Sequence, residues 1–349
     1  MSTNDISRRV FLAAGAAGAA AVTGGTTVSA QEKAGADQKK GVQRLPLDKL
    51  EAWEKLQYGM FIHYGMSTFV QNELPDGKAP PATYAPDKLD VGQWVSVVRD
   101  AGMKYAVLTT KHVAGHCLWP TKHTDYSVVN SADKTDVVEK FVTACREKGV
   151  LPGFYYCSWD NHNRFGSRTP SDGAVSYTTS LYQTFQTAQL TELLTQYGPI
   201  AETWIDIPGV LGRGYRTFLY DYAARLQPDT VIMMNSGIST QENYSVEYAW
   251  PSDIIAIERS LPVEAGFKKF REIEGKTYYM PGEVCDPIGK DWFWVDGDIP
   301  RSDDALLKQF QACKARGVNL LLDVPPDRHG LIPDYSVQAL NRLRKNASI

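Results

Sequence analysis

Between Tyr58 and Val324, short apolar runs alternate with longer stretches whose apolar residues recur every three to four positions. A run of four to eight apolar residues bounded by turn signals reads as a buried strand. Helical spacing of Val, Leu and Phe reads as a helix with one buried face. Strands are therefore predicted at residues 58–65, 105–110, 151–157, 200–207, 230–234, 253–257, 276–284 and 318–324. Helices are predicted at 90–101, 136–148, 181–196, 215–226, 303–315 and 337–345. Tyr197-Gly198, Gln227-Pro228 and Gly317 close three of the helices, and Pro325-Pro326 ends the last strand. Strands alternating with helices imply a parallel sheet, and eight such units over this length suit a (β/α)8 barrel. A doubly wound sheet would need a Gly-rich turn after its first strand, and this chain has none. The link between the fifth and sixth strands shows no helical pattern, so the barrel is expected to be irregular there. No internal domain boundary is visible between 43 and 349.

The first thirty residues fall outside this pattern. Ser7-Arg8-Arg9-Val10-Phe11-Leu12 is a twin-arginine motif followed by an Ala/Gly-rich apolar run, and Val28-Ser29-Ala30 offers the small residues of a cleavage site. These features predict a signal peptide over 1–30, export by the twin-arginine route to the periplasm or beyond, and a polar linker over 31–42. No other segment reaches the length of a membrane span. A net charge of -3 gives no basic field for nucleic acid. Five scattered cysteines without a C-x-x-C pair suggest neither a zinc site nor a disulfide framework.

Candidate chemistry collects at the C-terminal ends of the predicted strands, where barrel enzymes place it. In order these ends carry His63, Lys111-His112, Trp159-Asp160, Asp206, Asn235, Glu258, Glu283 and Asp323. Aromatic residues accompany them, among them Tyr156, Trp159, Trp204 and Trp292. Aromatic faces stack on the C–H faces of sugars, so carboxylates among aromatics point to carbohydrate. Two carboxylates flanking a sugar can break a glycosidic bond, one attacking the anomeric carbon and the other protonating the leaving oxygen. Asp206 ends a strand that Pro208-Gly209 breaks off, which fixes a short carboxylate at the rim. Glu258 follows Ile254-Ile255-Ala256-Ile257 directly, so its partial burial would raise its pKa as a general acid requires. Glu283 is the second candidate for that role. His112 and His116 have ligand spacing but straddle a turn, so no metal or other cofactor is expected, and no G-x-S-x-G elbow offers a serine nucleophile.

Several segments resemble the α-L-fucosidases of glycoside hydrolase family 29. They are Tyr58-Gly-Met-Phe-Ile-His63-Tyr-Gly65, Tyr105-Ala-Val-Leu-Thr-Thr-Lys-His112, Cys117-Leu-Trp119, Lys122-His-Thr-Asp125-Tyr126, Trp204-Ile-Asp206 and Asn319-Leu-Leu-Leu-Asp-Val-Pro-Pro326. The resemblance covers roughly residues 50–345. It implies a (β/α)8 barrel, a retaining exo-glycosidase, Asp206 as nucleophile, and a fucose pocket lined by His63, His112 and Trp204. Glu73 and Tyr156 join that pocket by the same resemblance. Asp253-Ile-Ile-Ala-Ile-Glu258 fits the acid/base spacing of one branch, and Glu283 matches a later acidic position. The chain differs from the family in having Val113 where a second histidine follows Lys-His, with His116 able to reach back. It has Asn235-Ser236 where an arginine follows the fifth strand, and the C-terminal β-sandwich many members carry is expected to be absent. The expected substrate is a fucosylated glycan. A related sugar such as α-L-galactose, or carbohydrate binding without catalysis, are the alternatives, and an oligomer is left open.

Overall fold

Residues 41–164, 177–237, 244–262, 264 and 266–349 are described by a computed structural model and fall within one compact unit, 40–349. The expected signal peptide and all but the last two residues of the linker lie outside the described residues.

Eight strands pair in parallel throughout. They are β1 Tyr58–Ile62, β2 Tyr105–Lys111, β3 Leu151–Cys157, β4 Glu202–Asp206, β5 Val231–Met234, β6 Ile255–Glu258, β9 Gly282–Pro287 and β10 Asn319–Asp323. Their spatial order, β5-β4-β3-β2-β1-β10-β9-β6, is that of a (β/α)8 barrel lacking one ladder, between β5 and β6. The side chains of Asp253 and Ser252 help bridge this seam. Ile232 donates its N–H to Asp253 Oδ2 at 2.8 Å and Met234 donates to Ser252 Oγ at 3.0 Å. The irregularity expected at the fifth link is this seam, and among the described residues of that link the helix is the short Val246–Ala249.

Asp253 carries most of the seam. Its buried carboxylate also accepts from Arg44 and from the Tyr220 hydroxyl. Asp253→Ala would leave a buried N–H and a partly buried guanidinium without their partner. Breaking such a pair typically costs about 3 kcal/mol or more. Urea denaturation should show a loss of that order, and a loss under about 1 kcal/mol would contradict this account of the seam.

One predicted strand is corrected. Residues 276–284 are two strands, because the chain breaks at Met280-Pro281. Lys276–Tyr279 (β8) forms an antiparallel hairpin with Phe270–Ile273 (β7), and only Gly282 onward enters the barrel as β9. Pro281 has no N–H for a ladder, and its carbonyl accepts from Ile255 at the start of β6.

Alternation along the strands separates two cores. Phe61, Val107, Tyr155, Trp204, Met233 and Leu321 point into the barrel. Their neighbours Met60, Leu108, Phe154, Ile205, Ile232 and Leu322 pack outward against the helices. Val91–Asp100 contributes Trp94, Val95 and Val98 to this outer layer, and Val137–Lys148 contributes Phe141, Val142 and Cys145. Each fully buried side chain of this size contributes about 1.5–3 kcal/mol. Asp90 and Asp136 cap these two helices, accepting from Gln93 and Glu139 N–H groups at 2.9 Å. At the N-terminal end of the barrel, Leu45, Leu50 and Trp53 close the interior. Gly59 is required there, since a Cβ would fall 2.5 Å from the Tyr105 ring.

Candidate active site

At the opposite end, the C-terminal ends of the strands surround a half-enclosed cavity of about 280 Å³. That is the small end of the range for ligand pockets. Asp206 closes β4 and Glu258 closes β6, and both line the cavity. In each case the next residue is left-handed: Ile207 has φ +48 and Arg259 has φ +51. A β-branched residue there is strained, and such strain collects where a side chain must be aimed. The backbone thus leaves the sheet abruptly just past each carboxylate.

Both carboxylates are tied down. The Tyr155 hydroxyl donates to Asp206 Oδ2 at 2.6 Å, and Asn235 Nδ2 donates to Asp206 Oδ1 at 2.8 Å. The same nitrogen donates to Glu258 Oε2 at 3.1 Å. Bonds of 2.8 and 3.1 Å laid end to end limit the separation of those two carboxylate oxygens to 5.9 Å at most. Burial is the largest influence on Glu258, and with the charge of Asp206 it pushes the pKa up to about 7 against the opposing Asn235 bond. Its proton is therefore held into the neutral range, as a general acid needs.

The walls supply hydrogen-bonding groups and aromatic faces. His63 Nδ1 lies 2.8 Å from Asp323 Oδ1, and burial pushes the imidazole down to about 3, so the ring is neutral. Burial also raises the Asp323 carboxyl well above its usual range. The contact is thus a hydrogen bond that orients His63 rather than an ion pair. His112, also held neutral by burial, stacks on Tyr155 with ring centres 5.6 Å apart. Trp204 also stacks on Tyr155, with ring centres 5.4 Å apart. Trp292 packs beside His63 at 5.2 Å and lies under the Arg259 guanidinium. Glu73 lines the cavity from the loop after β1, its pKa raised chiefly by burial.

The structure thus brings together Asp206, Glu258, His63, Glu73, His112, Trp204 and Trp292. Four sequence candidates stand elsewhere. Tyr156 points outward, its hydroxyl held by Lys111 Nζ at 2.9 Å and donating to Gln189 at 2.8 Å. The neighbour Tyr155 takes the inward place, because it pairs in register with Trp204 and so shares its face. Trp159 lies off the cavity, bonded to Asn161 and packed on Tyr177. His116 does not reach back: its Nε2 is engaged by Ser131 Oγ at 2.8 Å and its ring stacks on Tyr84. Glu283 sits near the start of β9 rather than at its end, since that strand begins at Gly282. It is buried inside the barrel, accepting from the Tyr105 hydroxyl at 2.6 Å and from Trp204 Nε1 at 3.3 Å. Burial raises its pKa against the opposing bonds to Tyr105, Glu202 and Trp204, but it has no face on the cavity.

Sequence reading missed Tyr155, Tyr248 and Cys285 as lining residues. Strand alternation from Trp204 was the available signal for Tyr155. Tyr248 reaches the cavity from the short helix Val246–Ala249 by packing on Gly209, where a Cβ would meet its ring at 2.1 Å. The five cysteines are all buried and free. Among the described residues, no group of three His, Cys, Asp or Glu side chains is placed to hold a metal ion.

Fold and cavity together define a (β/α)8 barrel with a paired-carboxylate site at the C-terminal ends of its strands. The family profile described as alpha-L-fucosidase matches residues 78–346. Alpha-L-fucosidase 1 of Arabidopsis thaliana is 31% identical over 313 residues, covering 85% of this chain and 59% of the plant protein. A putative alpha-L-fucosidase from Bacteroides thetaiotaomicron superposes with TM-score 0.71 at 31% identity, covering 85% of this chain and 66% of that one. Alpha-L-fucosidase isoenzyme 1 from Paenibacillus thiaminolyticus superposes with TM-score 0.71 at 26% identity, covering 86% and 75% of the two chains. The chain belongs to the α-L-fucosidases of glycoside hydrolase family 29. It spans 59% of the length of the plant relative.

Proposed function

We propose that the protein is a retaining exo-glycosidase that hydrolyses α-L-fucosides of fucosylated glycans by double displacement. The observation that carries this is the Asp206–Glu258 pair, with oxygens no more than 5.9 Å apart by the 2.8 and 3.1 Å bonds to Asn235. Retaining enzymes place their carboxyls about 5–5.5 Å apart, whereas inverting enzymes leave room for a water at about 6.5–9.5 Å. In the first step Asp206 attacks the anomeric carbon as Glu258 gives its proton to the leaving oxygen. In the second, Glu258 takes a proton from water as that water displaces Asp206. Neutral His63 and His112 offer ring nitrogens to sugar hydroxyls, and Trp204 and Trp292 offer faces to its C–H bonds.

Wild type should hydrolyse an aryl α-L-fucoside and release α-fucose first, as followed by proton NMR. Because the acid must be protonated and burial raises Glu258 to about 7, kcat/KM should fall as pH rises through that region. An aryl α-L-galactoside in the same assay tests the related sugar. Sugar binding with no turnover of any aryl α-L-glycoside would sink the enzymatic reading in favour of a carbohydrate-binding protein. The Arg8-Arg9 motif and the apolar run after it support a further part of the proposal, export by the twin-arginine route.

A further inference from the structure

Asn235 occupies a place that a two-carboxylate mechanism does not by itself require. It is 5% exposed, and its side chain lies between the ends of β4 and β6. The orientation of its amide is fixed: Gly237 donates its backbone N–H to Oδ1 at 2.8 Å, so Oδ1 is the acceptor and Nδ2 faces the carboxyls. Its own N–H donates to the Ile205 carbonyl at 2.9 Å, which locks the residue against β4. The nitrogen has two hydrogens and two acceptors, Asp206 Oδ1 and Glu258 Oε2.

We propose, building on the retaining reading above, that Asn235 is a third catalytic residue. Its amide nitrogen keeps one hydrogen on each carboxyl while negative charge passes from Asp206 to Glu258 and back, and this leaves Glu258 Oε1 as the atom that carries the transferable proton. Before the first step the charge is on Asp206 and the proton on Glu258. Attack forms the bond from Asp206 oxygen to the anomeric carbon and breaks the glycosidic C–O bond. The Oε1 proton goes to the leaving oxygen, and Glu258 is left charged. Hydrolysis reverses this, with the proton of the attacking water going to Glu258 and the ester bond to Asp206 breaking. The pair holds one negative charge throughout, and the donor between its halves faces that charge in both states without moving. A preorganised donor of this kind needs no reorganisation as the charge shifts.

The groups facing Glu258 are Asp206 from β4, Glu73 from the loop after β1, Tyr248 from the short helix, Cys285 from β9 and its own neighbour Arg259. Asp206 and Glu73 favour its protonated form, while Arg259 and Asn235 favour the charged form. Removing the Asn235 bond therefore moves Glu258 upward, and the acid form survives to higher pH.

The test compares Asn235→Ala and Asn235→Asp with wild type on an aryl α-L-fucoside, alongside a carbon-13 NMR titration of Glu258 in the substrate-free proteins. Loss of one such donor typically lowers kcat about 10²–10³-fold. Both variants should show that loss with KM within a few-fold, and the Ala variant should move the Glu258 titration and the alkaline limb of kcat/KM to higher pH. Asn235→Asp keeps the shape and the acceptor for Gly237, so its loss of kcat at an unchanged melting temperature cannot come from collapse. A wild-type kcat in either variant, a change confined to KM, or an unmoved Glu258 titration would overturn the role of Asn235. Since the titration needs no substrate, it fails independently of the fucosidase reading. That reading fails instead if wild type turns over no α-L-fucoside, or turns it over with inversion.

Discussion

Asp206→Ala should lower kcat on an aryl α-L-fucoside by about 10⁴-fold or more, with the protein still folded and still binding fucose. The size follows from what the side chain does. It makes the covalent bond that divides one difficult displacement into two easier ones, and loss of a nucleophile acting in such a unit typically costs 10⁴–10⁶ in rate. Folding should be spared because Asp206 is only half-buried and ends its strand. Alanine leaves the Tyr155 hydroxyl and Asn235 Nδ2 facing the cavity, where water can satisfy them. Steady-state kinetics with a calorimetric measurement of fucose binding separates the two effects. A variant that keeps more than about a hundredth of wild-type kcat would mean that Asp206 is not the nucleophile.

The second large effect distinguishes two glutamates. Glu258→Ala should slow substrates with poor leaving groups by about 10²–10⁴-fold, because they need the proton that Glu258 supplies. Activated aryl fucosides leave unaided, so only their second step should suffer. Azide should restore that step by attacking without a general base. Glu283→Ala should show no such dependence on the leaving group. Its removal strands the Tyr105 hydroxyl and Trp204 Nε1 in the barrel interior, which should cost about 1–3 kcal/mol of stability for each unpaired group. If the leaving-group dependence and azide rescue appear with Glu283→Ala, the acid has been assigned to the wrong strand.

The confusion between these two residues shows what periodicity conveys and what it does not. The apolar runs located all eight barrel strands, because strands buried on both faces are nearly continuous in Val, Ile, Leu and aromatics. They could not show that residues 276–284 contain a hairpin strand followed by the start of a barrel strand. That division depends on Pro281, and it moves Glu283 from a strand end to a strand beginning. The same limit explains Tyr155 and Tyr156. Two adjacent tyrosines look alike as a run, but a period of two sends one to the cavity and the other to Gln189. Asp206 and Glu258 were legible because each directly follows apolar residues near the end of a predicted strand, which is a local feature. The part played by Asn235 was not. It arises from the distance between two carboxylates 52 positions apart in the chain, and local pattern does not encode that. Tyr248 was hidden for a related reason, since it reaches the site only through the close approach that Gly209 permits.

The central claim is that Asp206 becomes covalently bonded to the sugar, and trapping that bond tests it most directly. A 2-deoxy-2-fluoro α-L-fucoside with an activated leaving group should slow both steps and allow the ester to accumulate. Intact-protein mass spectrometry should then show the added mass of one fluorinated sugar. Peptide mapping should place it on the segment containing Trp204-Ile205-Asp206, and the label should be absent in Asp206→Ala. A label on another carboxylate, or turnover of α-L-fucosides with inversion and no covalent species, would contradict the account.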